Sequence, residues 1–107
     1  MDRQVIADRV KAEGPGLRER YGVQSLALFG SMARGEAHPG SDLDLLVTFE
    51  PGRTPGLAYF ALQDELTTLL GHPVGLNTPA FLSPLFRDEV VREAVVLFDA
   101  GQVNRSR

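Results

Sequence analysis

SLALFGSMARGEAHPGSDLDLLVTF, running from Ser25 to Phe49, reads as two apolar strands joined by a polar excursion. Leu26-Ala27-Leu28-Phe29 is nearly continuous apolar sequence, as expected of a strand covered on both faces. Gly30-Ser31 closes it, and Ser31-Met32-Ala33-Arg34 reads as the first turn of a short helix. Gly35 to Gly40 is loop sequence with Pro39-Gly40 marking a turn. The second strand, Asp42 to Phe49, opens with two aspartates one residue apart. On a strand, residues i and i+2 share a face, so Asp42 and Asp44 project together. Their position at the strand's beginning suggests a sheet edge or a cleft mouth. Neighbouring carboxylates resist ionising together unless a cation neutralises them. Mg²⁺ suits such a pair because it binds one or two carboxylates plus phosphate oxygens. A glycine at the bend lets backbone approach a ligand, and N–H groups at a helix start attract phosphate. A solvated acidic strand face is the plainer alternative, but aspartate is disfavoured in strands, so two at one strand start need a reason.

The flanking sequence supplies helices and two further strands. Residues 2–13 have helical spacing, with Val5, Ile6 and Val10 on one face and Asp2 as a cap. Gly14-Pro15-Gly16 interrupts that pattern, a short helical turn follows to Tyr21, and Gly22 ends it. Leu57 to Leu70 places Leu62, Leu66, Leu69 and Leu70 on one helical face, and Gly71 stops it. Val74-Gly75-Leu76 reads as a third strand. Thr78-Pro79 starts a brief helical turn, and Ser83-Pro84 starts a helix that continues to about Glu93. Val95 to Phe98 is a last, β-branched strand. The expected fold is α/β (α+β): a small mixed sheet covered by helices.

The 107 residues suit one domain, with a polar tail from about 101. The formal net charge of −3 argues against backbone-driven nucleic-acid binding. Arginine supplies ten of the eleven basic residues, a bias that fits phosphate partners but equally reflects genome composition. With no cysteine, disulfides and thiolate chemistry are excluded. The first twenty residues are charged throughout, unlike a secretory leader, and no apolar run reaches the ~18 residues of a membrane span. The expected location is the cytoplasm, with no membrane partner.

Gly30-Ser31, ten intervening residues and then Asp42-Leu43-Asp44 resemble the Gly-Ser-x10-Asp-x-Asp signature of the nucleotidyltransferase superfamily related to DNA polymerase beta. The forms GSMARG and SDLDLLV look most like the minimal nucleotidyltransferase (MNT) group, whose members often serve as antitoxins to HEPN-domain toxins. The resemblance implies a nucleotidyltransferase fold over the whole chain, residues 1–107. It implies that Asp42 and Asp44 are catalytic and hold Mg²⁺. Gly30 and Ser31 would then bind the phosphates of ATP, with Arg34 as a guanidinium clamp one turn later. Ser41 matches the family's Ser-Asp-x-Asp form, whereas His38 in the same loop reads as exposed.

One position departs from the pattern. Active members carry a third carboxylate on the next strand, in a form resembling Val-Asp-Leu-Val. Here the segment is Val74-Gly75-Leu76-Asn77, so Gly75 stands where the acid is expected. Glu50, Asp64, Glu65 and Asn77 are the available substitutes, none in the right sequence context. Two readings follow. In the first, the chain transfers AMP from Mg-ATP to a hydroxyl of a HEPN-type protein partner. In the second, it is a weak or inactive nucleotide-binding antitoxin that neutralises its partner by occlusion, the reading that Gly75 favours.

Overall fold

In a computed structural model, which describes residues 3–30, 32–35, 42–85 and 87–101 (for Phe81, the backbone alone), the elements follow the expected order. Helix α1 spans Arg3–Tyr21, β1 Val23–Phe29, β2 Leu43–Phe49, α2 Ala58–Leu70 and β3 Val74–Asn77. A 3₁₀ turn at Pro79–Phe81, helix α3 at Arg87–Glu93 and β4 at Val95–Asp99 complete it. The four strands form one mixed sheet in the order β3-β2-β1-β4. Strand β1 is antiparallel to both β2 and β4, and β3 runs parallel to β2. Asp2, Ser31, His38 and Ser41 lie outside the described residues. Among the described residues, no helix is long and apolar enough to cross a membrane.

Helix α1 corrects the expectation of a break at residues 14–16: it runs unbroken with Pro15 inside it. An interior proline costs about 3 kcal/mol, because it lacks the N–H and its ring clashes with the preceding turn. Ile6, Val10 and Leu17, on either side of it, are fully buried. Burying such side chains contributes about 1.5–3 kcal/mol each, so together they outweigh the proline. Gly14 belongs to the same buried stripe. A Cβ there would stand 2.2 Å from Cδ1 of Phe98 on β4, so the missing side chain is what lets α1 lie on the sheet. Helix propensity alone favours alanine over glycine by about 1 kcal/mol. Overpacking costs about 1–3 kcal/mol and wins here. Gly14→Ala is therefore expected to lower stability by about 1–2 kcal/mol, read as a fall in thermal midpoint; an unchanged or raised midpoint would contradict this packing.

Helix α2 buries Leu62, Leu66 and Leu70, with Leu69 partly covered. It ends at Gly71, whose left-handed φ of 70° suits the expected stop. Leu43, Leu45 and Val47 alternate along β2 and are fully buried with them, as are Leu26 and Leu28 on β1. The even-numbered residues of β2, Asp44 among them, face the other side of the sheet. The last helix begins at Arg87 rather than Ser83, because Pro84 and Leu85 form a turn in which Ser83 Oγ accepts the Leu85 N–H at 3.3 Å.

Strand β3 is at one margin of the sheet, and α2 covers its outer backbone groups. Thr67 Oγ1 accepts the Val74 N–H (3.3 Å) and Gln63 Oε1 the Leu76 N–H (3.1 Å), while the Tyr59 hydroxyl donates to the Leu76 carbonyl (2.6 Å). Residues 59, 63 and 67 are four apart and form one stripe of the helix. Burial raises the Tyr59 pKa above its ordinary 10.0. The Tyr21 pKa is raised too, first by the hydrogen bond its hydroxyl donates to Glu65. Both phenols therefore hold their protons longer in the folded chain than in the unfolded one. Stability is full below about pH 10 and falls as pH rises beyond it. In alkaline denaturation, Tyr59→Phe is expected to flatten that fall while costing about 1 kcal/mol near neutrality, the usual net worth of a hydrogen bond.

Candidate active site

Asp44 sits near the start of β2, paired across the sheet with Phe29 on β1 and Gly75 on β3. It thus opens an interior strand, which rules out the sheet edge and leaves the cleft mouth of the two placements that its position suggests. The reason is topological: β3 adds in parallel outside β2, a placement that no local sequence pattern reveals. Asp42 is exposed and immediately precedes the strand.

Two glycines flank the Asp44 carboxylate. Gly30 ends β1 with φ of 77°, and a Cβ on it would lie 2.4 Å from Asp44 Oδ2. A Cβ on Gly75 would lie 3.3 Å from Asp44 Oδ1. The sequence offers Gly30 as a bend open to a ligand; the structure adds that its bareness makes room for Asp44 itself. That role depends on a contact 14 positions along the chain, and glycine beside a strand end is the only local signal of it.

Burial raises the pKa of Asp44, the charge of Asp42 raises it further, and Arg34 opposes both. The Asp44 carboxylate thus feels the charges of both Asp42 and Arg34. Arg34 is exposed and lies in the turn Met32–Gly35, where its N–H donates to the Gly30 carbonyl at 3.2 Å. The turn lies where the first turn of a short helix is expected, and its four-residue hydrogen bond has helical spacing. Two hard carboxylates two residues apart, with Asp44 resisting ionisation, would suit a divalent cation such as Mg²⁺. Phosphate oxygens and water would complete its shell.

The substitutes for a third acid lie elsewhere. Glu50 lies just past the end of β2, six residues and about 20 Å from Asp44 at strand rise, and pairs with Arg18 at 2.7 Å. Glu65 on α2 is held by Arg20 and by the Tyr21 hydroxyl. Asp64 is exposed on the same helix, which covers the opposite sheet face. Asn77 alone shares β3 with Gly75, and its Nδ2 turns back to the Gly75 carbonyl at 3.4 Å. Among the described residues, no three acidic, histidine or cysteine side chains gather as a metal site. A separate cavity of about 780 Å³ lies at the far end of β2, walled by Phe49, Tyr59, Phe60 and Leu76. Among the described residues, no carboxylate, histidine or cation lines it.

Comparison with known proteins agrees with this geometry. The nucleotidyltransferase domain family model matches residues 15–97. The protein adenylyltransferase MntA of Thermococcus cleftensis is 44% identical over 80 residues, covering 74% of this chain and 79% of its own. A solved chain described as a candidate minimal nucleotidyltransferase is 43% identical, with a TM-score of 0.70 and coverage of 89% of this chain and 95% of that one. A chain from the complex of a tri-AMPylated Shewanella oneidensis HEPN toxin with its MNT antitoxin is 22% identical, with a TM-score of 0.62 over 94% of this chain and 76% of that one. At that identity the likeness is one of fold. Sheet order, the aspartate pair beside a glycine bend, and these matches together place the chain in the nucleotidyltransferase domain family, as a minimal nucleotidyltransferase of the MntA protein-adenylyltransferase type.

Proposed function

We propose that this chain is an antitoxin that transfers AMP from Mg-ATP to a hydroxyl group of a HEPN-type protein partner. The observation that carries the reading is the Asp42–Asp44 pair, with Asp44 seated against the Gly30 bend. The relative named MntA is a protein adenylyltransferase, and a fold neighbour comes from a complex with an AMPylated HEPN toxin.

In this reading Asp42 and Asp44 hold Mg²⁺, and Gly30, Ser31, Ser41 and Arg34 bind and orient the nucleotide phosphates. Bound Mg²⁺ supplies charge neutralisation at the α-phosphoryl group and at the departing pyrophosphate. The acceptor oxygen forms a bond to the α-phosphorus while the bond from that phosphorus to the bridging oxygen of the β-phosphate breaks. Pyrophosphate leaves with the electron pair, and the hydroxyl proton goes to a base. Gly30 keeps Asp44 in place by offering no side chain to displace it. Arg34 holds positive charge beside the aspartates, where phosphate oxygens arrive.

The test is incubation with ATP labelled at the α-phosphate, Mg²⁺ and a HEPN-domain protein as the candidate partner. Label on the partner supports transfer. A tight complex that silences the partner without label favours the second reading, neutralisation by occlusion, to which Gly75 in place of an acid lends weight.

A further inference from the structure

We infer that Gly75 sets the metal stoichiometry of this site, so that the chain assembles around one divalent cation per nucleotide rather than two. The inference rests on the Asp42–Asp44 reading given above.

Asp44 and Gly75 are register partners on parallel neighbouring strands. A side chain at 75 would begin 3.3 Å from Asp44 Oδ1. The bare position therefore opens directly onto the carboxylate, and an acid there would reach a cation held by Asp44. Paired catalytic cations stand about 3.5–4 Å apart and repel, so each needs its own anionic ligands. One Mg²⁺ is satisfied by one or two carboxylates with phosphate oxygens and water. Asp42 and Asp44 meet that need once. A second ion finds no further carboxylate among the described residues: no third acid or histidine joins the pair. Glu50 is engaged by Arg18, and Glu65 by Arg20 and Tyr21. Asn77, next on the same face of β3, brings an amide without charge and turns it to the Gly75 carbonyl.

The experiment uses the full chain with Mn²⁺ as the probe and α,β-methylene-ATP, which is not cleaved between the α- and β-phosphates. Electron paramagnetic resonance reports whether bound Mn²⁺ ions are isolated or magnetically coupled neighbours, and equilibrium dialysis counts them. The wild type is expected to bind one isolated Mn²⁺ with each nucleotide. Gly75→Asp is expected to bind two, with a coupled spectrum, while the neutral Gly75→Asn of similar size stays at one. A coupled pair in the wild type would overturn this inference and leave the aspartate site standing. A single isolated ion in a Gly75→Asp chain that still binds nucleotide would also overturn it. Failure of the wild type to bind Mn²⁺ with nucleotide would overturn the aspartate reading together with this one.

Discussion

Asp44→Asn, alone or with Asp42→Asn, is expected to lower AMP transfer by about 10³-fold or more. A metal that stabilises transition-state charge contributes several kcal/mol, and each 1.36 kcal/mol is a factor of ten. Asparagine keeps the shape of the side chain but gives the cation a neutral oxygen. Asp44 is half-buried, and its ionised form is disfavoured by burial and by Asp42. Removing that charge relieves the folded chain, so the thermal midpoint without Mg²⁺ should hold or rise. Loss of transfer with the fold intact separates a chemical role from a structural one. The measurement is label transfer from α-labelled ATP to the HEPN-type partner, alongside a thermal melt. Transfer within a few-fold of wild type would remove these aspartates from the chemistry.

Gly30→Ala should act on the same carboxylate from the other side of the bend, with a smaller loss. Gly30 has φ of 77°, where a side chain costs about 1–2 kcal/mol, and its Cβ would press on Asp44 Oδ2 at 2.4 Å. The carboxylate must swing away, and a displacement of this size around a reacting centre costs about 10²-fold. Gly35 is the internal control. Its φ is 74°, yet a Cβ there would meet none of the described residues within 4 Å. Gly35→Ala should therefore show the same backbone destabilisation and keep transfer near wild type. Equal transfer by the two variants would mean that Gly30 serves only the turn and not the carboxylate.

Strands β1 and β2 were readable because their signals are local. Alternation marks β2, an apolar run marks β1, and the glycine and aspartates occur at fixed spacing. The stop of α2 at Gly71 and the compact β4 were readable for the same reason. What escaped depends on distant contacts. Gly14 and Pro15 look like a helix break, and only the burial of Ile6, Val10 and Leu17 against the sheet keeps α1 whole. Asp44 looks like an edge residue until β3 pairs outside it. Gly75 can be marked as a departure from sequence, but only the register shows that it faces Asp44.

The stripe of Tyr59, Gln63 and Thr67 has a bearing on self-association. Growth of a strand-stacked fibre needs two receptive sides on every molecule. At β3 the amides of Val74 and Leu76 are already engaged by α2, so an incoming strand meets a stoppered flank. Joining through β4 uses the opposite flank, and two copies so joined turn only stoppered sides outward. Such stacking stops at a pair, without proline or lysine gatekeepers in β3.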